Sequence, residues 1–183
     1  MEFQSHNAEL AIANLLFKNT FSNIRIDRPQ DDGSRKQILV QCMLGQRSRI
    51  LKGLENPEKR GNMRLPMIII NRTGYSRNGE RLNNLHNEVK FELGPANRKY
   101  ELMTPVPVDI DYEVTIVSKY PSDIDMIASN FMVFFNSDIY VTCEHPKYEG
   151  IKMNNQIVMQ DSVSEDHPDE PDSAQDDLIT ATF

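Results

Sequence analysis

Val108-Asp-Ile-Asp-Tyr-Glu-Val-Thr-Ile-Val-Ser-Lys-Tyr-Pro-Ser-Asp-Ile-Asp-Met-Ile-Ala-Ser-Asn-Phe-Met-Val-Phe-Phe135 holds two periods in one stretch. As far as Lys119 the residues alternate, Ile110, Tyr112, Val114 and Ile116 against Asp109, Asp111, Glu113 and Thr115. A period of two is that of a strand with one buried face. Beyond Pro121 the period lengthens. Ile124, Ile127, Ala128, Phe131, Phe134 and Phe135 form the apolar stripe of an amphipathic helix. Ser122 is placed to cap that helix, and Asp123 and Asp125 lie where the positive end of its dipole favours carboxylates. A strand followed directly by a helix predicts a domain of mixed type.

Upstream, residues 7–20 carry Ala8, Ala11, Ile12, Leu15 and Leu16 at helical spacing, with Ala13 and Phe17 on a neighbouring face, which predicts a largely buried first helix. Phe21-Ser-Asn-Ile-Arg-Ile-Asp-Arg-Pro then reads as extended, turns at Asp31-Asp32-Gly33-Ser34 and returns as Lys36-Gln-Ile-Leu-Val-Gln-Cys-Met-Leu, a hairpin. Residues 46–55 place Ile50, Leu51 and Leu54 on one face, a short helix that ends near Asn56-Pro57. Leu65-Pro-Met-Ile-Ile-Ile-Asn-Arg is rich in β-branched residues and reads as a strand. Thr73-Gly-Tyr-Ser-Arg-Asn-Gly-Glu-Arg, with two glycines and flanked by Arg72, reads as an exposed basic loop.

A further strand pair is expected from Glu88–Leu93 and the run from Val108 to Lys119, with Pro105 and Pro107 keeping the segment before them out of a central strand. Further strands are expected at residues 139–143 and 157–159, and a last β-rich run is Leu178-Ile-Thr-Ala-Thr-Phe. The expected fold class is therefore α+β (α/β): a mostly antiparallel or mixed sheet flanked by about three helices. Residues 1–160 are expected to form a single domain, 161–177 an acidic flexible loop, and 178–183 the start of a final strand of that domain. Because the chain stops inside that run, the expectation is a longer parent protein or a second chain that completes the strand.

Composition narrows the function classes. The 183 residues are 39% hydrophobic and 26% charged, ordinary for a globular domain. No run approaches the roughly 18–20 apolar residues of a membrane span, so no membrane association is expected. The start, Met-Glu-Phe-Gln-Ser-His-Asn-Ala-Glu-Leu, lacks a secretory pattern, and no export is expected. Cys42 and Cys143 are then expected as reduced thiols. The net charge of −7 is unevenly spread: residues 1–100 hold 17 Lys and Arg against 10 Asp and Glu, and residues 101–183 hold 3 against 17. Eight of those acids lie in 161–177, so the remaining body is nearly neutral and lacks the broad basic footprint that duplex binding needs.

No chemistry-bearing constellation stands out. Cys143-Glu-His145 with Glu149 lacks the paired spacing of a metal site, and neither a Gly-x-Ser-x-Gly elbow nor a phosphate-binding glycine loop occurs. No cofactor, metal or catalytic residue is therefore expected. Asp109, Asp111 and Glu113 share one strand face, as a metal-dependent nuclease or hydrolase would want, but that face is also the wet side of an amphipathic strand, which is the preferred reading. Arg72, Tyr75, Arg77 and Arg81 combine cations with an aromatic, the chemistry of nucleic-acid contact. A protein interface or a solvated loop is the preferred reading there.

In their order, these segments resemble the tail sheath stabiliser and tail completion proteins of contractile-tailed bacteriophages. The resemblance runs from Thr20-Phe-Ser-Asn-Ile-Arg-Ile-Asp-Arg through Leu44-Gly45 and Leu54 to Arg64-Leu-Pro-Met. It is clearest at Thr73-Gly-Tyr-Ser-Arg-Asn-Gly-Glu-Arg-Leu-Asn-Asn-Leu-His-Asn and at Asp111-Tyr-Glu-Val-Thr-Ile-Val-Ser-Lys-Tyr-Pro-Ser-Asp-Ile-Asp-Met-Ile. Two places depart from the pattern: Phe134-Phe-Asn-Ser lacks a proline, and no aspartate follows Tyr75. The resemblance implies a non-enzymatic virion protein with a tail-terminator-like fold, typically six subunits in a ring at the head-proximal end of the tail. Its implied partners are its own copies, the sheath protein, the tube terminator and the neck or head-completion proteins, with DNA passing the lumen without specific binding. The implied location is the tail and neck of the virion, assembled in the host cytoplasm. Arg72, Tyr75, Arg77 and Arg81 are the candidate interface. Another tail component, such as a tube terminator or baseplate protein, is the competing reading.

Overall fold

The computed structural model describes residues 9–30, 33–55, 63–81, 88–93, 98–103, 106–133, 138–144, 152–159, 163–166 and 178–183. In chain order these form α1 (Glu9–Phe21), β1 (Arg25–Pro29), β2 (Arg35–Leu39), β3 (Gln41–Leu44), α2 (Arg47–Glu55), β4 (Met67–Arg77), β5 (Glu88–Leu93) and β6 (Arg98–Met103). They continue with β7 (Val108–Ser118), α3 (Pro121–Met132), β8 (Ile139–Glu144), β9 (Lys152–Ile157), β10 (Ser164–Asp166) and β11 (Ile179–Thr182). The expected α+β class with a mixed sheet is what is found.

The central sheet has the order β10-β11-β7-β4-β3, antiparallel except for the β3–β4 pair. That parallel pair needs a crossover, and α2 supplies it. As a result the sheet is covered on both faces. Ile68 and Ile70 of β4, with Val114 and Ile116 of β7, pack on Phe21 of α1 and on Ile124, Ile127, Ala128 and Phe131 of α3. Met67 and Ile69, with Val117, pack on Ile50 and Leu54 of α2. A strand buried on both sides has no polar face to alternate with, which is why residues 67–70 form an unbroken apolar run. Each fully buried isoleucine there contributes about 2–3 kcal/mol by leaving water.

Several expectations are corrected. The single buried face read for β7 holds only in its first half; Val114 to Ser118 are buried on both sides because α2 covers the second face. The returning arm of the hairpin is two strands. β2 pairs with β1, then Val40, buried and donating its N–H to the Ile24 carbonyl at 2.9 Å, turns the chain so that β3 joins the central sheet. β5 pairs with β6, a strand the sequence reading missed, and not with β7, whose edges are taken by β4 and β11. The strand placed at 157–159 lies earlier, as β9 paired with β8. Within the acidic segment, Ser164–Asp166 form β10 against β11. The first helix is less buried than expected: it rests on the core through Phe17 and Phe21, while Leu15 is 53% exposed.

Ser122 does not cap α3. Pro121 occupies the first turn, where its fixed φ and missing N–H suit a helix start, and Tyr120 is the cap residue without a side-chain bond. Asp123 is fully buried. Its carboxylate receives both guanidinium arms of Arg28 from β1, Nε at 3.2 Å from Oδ1 and Nη2 on Oδ2, and the Ser118 hydroxyl at 2.9 Å. Arg28 also lies 4.5 Å over the Tyr120 ring. The Asp123 hydrogen bond is the main cause holding the Arg28 pKa above its ordinary value. Cys42 and Cys143 are free thiols, and burial pushes Cys42 up to about 11, keeping it protonated. Phe134, Phe135, the Asn56-Pro57 helix end and the turn residues Asp31 and Asp32 lie outside the described residues.

Candidate functional site

β4 and β7 run past the core. β3 pairs with β4 only over Met67 to Ile70, and β11 pairs with β7 only over Thr115 to Ser118. Beyond those limits, residues 71–77 and 108–113 continue as a ribbon of two strands, the β4–β7 ladder being the pairing that remains among the described residues. The basic segment read as a loop from Thr73 is therefore strand as far as Arg77. Gly74 suits a turn and the arginines suit an exposed segment, but β7 offers a pairing partner as far as Arg77, and the pairing decides.

The ribbon holds a bulge between Arg72 and Gly74. Arg72 lies opposite Tyr112, Tyr75 opposite Ile110 and Arg77 opposite Val108. Cross-strand partners share a face, so all three belong to the face on which Tyr112 packs. In a regular strand Arg72 and Tyr75, three residues apart, would lie on opposite faces; the one extra residue at the bulge brings them together. All three are exposed, Tyr75 by 64%. Ser76, Gly74 and Asn71 lie opposite Asp109, Asp111 and Glu113, which puts those three carboxylates on the reverse face. The ribbon thus has one cationic, aromatic face and one anionic face.

Local bonds fix this geometry. A Cβ on Gly74 would come within 3.3 Å of Asp111 Oδ2, and Thr73 Oγ1 donates to the Asp111 carbonyl at 3.3 Å. Asn71 Nδ2 donates to Glu113 Oε2 at 3.5 Å. At the tip, Asn78 donates its backbone N–H to the Pro107 carbonyl and its Nδ2 to Asp109 Oδ2 at 2.8 Å, while its Oδ1 accepts the N–H groups of Glu80 and Arg81 at 3.1 and 3.0 Å. Asn78 is the organising residue that the sequence reading missed; an asparagine before glycine is its one local signal. Arg81 stands apart from the other three candidates, its Nη2 donating to Gln156 Oε1 of β9 at 2.7 Å.

The ribbon's root is tied to the core by rings. Tyr112 stacks on Phe17 at 4.2 Å and donates its hydroxyl to Asn14 Oδ1 at 2.8 Å; Phe17, Phe21, Phe131 and Phe183 continue the series at 5.0–5.1 Å. Burial raises the Tyr112 hydroxyl pKa, and the charge of Arg72 partly offsets it. A second feature is an open cleft of about 400 Å³ lined by Arg28, Met63, Arg64, Leu65, Lys119 and Tyr120.

Among the described residues, no group of three His, Cys, Asp or Glu side chains is placed to hold a metal ion. His145 and Glu149 lie outside them. No helix of the described residues is long and apolar enough to cross a membrane. A comparison with curated proteins finds no match. The family model described as T4-like virus Myoviridae tail sheath stabiliser matches residues 6–183. That span takes in the whole central sheet, its three described helices and the ribbon, and the chain belongs to this family of phage structural tail proteins, the tail sheath stabilisers.

Proposed function

We propose that the chain is the subunit of a closed ring of six copies, seated on the last sheath ring at the head-proximal end of the tail. The ring stops further polymerisation, holds the extended sheath and gives the neck a docking face, while DNA passes its lumen without base-specific contact. Its partners are then its own copies, the sheath protein, the tube terminator and the neck proteins, in virions assembled in the host cytoplasm. The family supports the sheath-stabilising role. The observation that carries the assembly reading is the ribbon: its Arg72, Tyr75 and Arg77 side chains are exposed and stand outside both core clusters, so their chemistry is open to a neighbour. Arginine and tyrosine are the side chains that most often anchor such contacts.

The test is a phage carrying Arg72→Ala, Tyr75→Ala, Arg77→Ala and Arg81→Ala together. Tails that lose their extended sheath or fail to join heads, seen by electron microscopy, are the expected result. Normal infectious particles would remove this face from the mechanism.

A further inference from the structure

The two faces of the ribbon match one another in length as well as in charge. Arg72 and Arg77 lie opposite Tyr112 and Val108, four register positions apart on β7, and Asp109 and Glu113 are also four positions apart. At about 3.3 Å per residue, both charge pairs span about 13 Å. Between the cations stands Tyr75, with a hydroxyl to donate; between the carboxylates stands Asp111, with oxygens to accept. Asp109 and Glu113 each take one amide N–H from Asn78 and Asn71, which leaves them acceptor capacity for an incoming guanidinium.

We propose that these faces are the two halves of one contact: the Arg72, Tyr75, Arg77 face of one subunit seats on the Asp109, Asp111, Glu113 face of a second copy of this chain. The contact is heterologous. Each subunit that uses its cationic face still offers its anionic one, so the contact repeats around a ring and does not stop at a dimer. It also gives the three carboxylates a role as the receiving half of an interface. This contact rests on the ring reading above and names the surface on each side of the joint.

Charge reversal tests it on the purified full chain. The exposed pairs are altered, Arg72→Glu with Arg77→Glu in one variant and Asp109→Lys with Asp111→Lys in another, and masses are read by sedimentation velocity against the 21.1 kDa monomer. Each variant alone is expected to stay monomeric, since its two faces then carry the same net sign. An equal mixture of the two is expected to assemble, because every joint then pairs unlike faces, and so is a single chain carrying all four changes. Assembly of either variant alone, or a mixture of folded variants that stays monomeric, overturns the contact while leaving the ring intact. A wild-type chain that remains monomeric at every concentration overturns the ring reading, and this contact with it. Should a reversal unfold the chain by circular dichroism, the neutral pairs Arg72→Gln/Arg77→Gln and Asp109→Asn/Asp111→Asn replace it, with loss of assembly as the readout.

Discussion

Asp123 shows what a single residue can hide. In sequence it is an acid in the first turn of a helix, a common and mild preference worth a few tenths of a kcal/mol. In the fold it is a buried carboxylate clasped by Arg28, 95 residues earlier, and by Ser118. No local pattern marks that partnership, because the pairing is made by α3 landing on β1, whereas the stripe from Ile124 to Phe131 was legible from spacing alone. A buried charge that loses its partner keeps its desolvation cost, about 3–5 kcal/mol for full burial. The Arg28 side chain is 30% exposed, so the lower end applies. Asp123→Ala and Arg28→Ala are each expected to lower unfolding stability by about 3 kcal/mol in urea titrations. The double variant should cost clearly less than the sum, since the second change removes a group already unpaired. Strict additivity would mean that the pair contributes nothing as a pair.

At the scale of elements, continuous apolar runs and alternating ones were read correctly as β4 and β7, but their partners were not, since pairing depends on which edges the rest of the chain leaves open. The bulge at Thr73 belongs to this class: an extra residue in a strand looks like any other residue until its partner strand is known. It yields a contrast between two deletions. Removing Thr73 alone erases the bulge while Gly74 stays opposite Asp111, so Tyr75 and Arg77 keep their face and assembly should persist. Removing Thr73 and Gly74 together brings Tyr75 opposite Asp111 and turns Tyr75 and Arg77 onto the anionic side. That variant should fold with a melting temperature within a few degrees of wild type, because residues 67–70 and 114–118 hold the core, yet fail to assemble. Equal assembly by the two deletions would show that facing is not what matters.

For the whole molecule, the sequence order carried the family resemblance and the alternation carried the fold class, while the two-sided covering of the sheet followed from a crossover that spacing alone does not reveal. The same molecule offers two kinds of surface for self-association. One is the charged ribbon; the other is scattered apolar exposure, such as Leu15 on α1, Leu39 on β2 and Tyr140 on β8. Salt separates them. Raising ionic strength from 0.1 M to 1 M shortens the screening length from about 10 Å to about 3 Å, which weakens exposed charge pairs and leaves apolar contacts as strong or stronger. Assembly through the ribbon should therefore shift toward monomer in 1 M sodium chloride. The far-ultraviolet dichroism and melting temperature of the subunit should hold, since both apolar clusters lie on the sheet faces away from solvent. The measurement is the sedimentation mass at matched protein concentration across a salt series. A mass that rises with salt would move the joint to the apolar patches, and neither two-residue charge reversal alone would then block assembly.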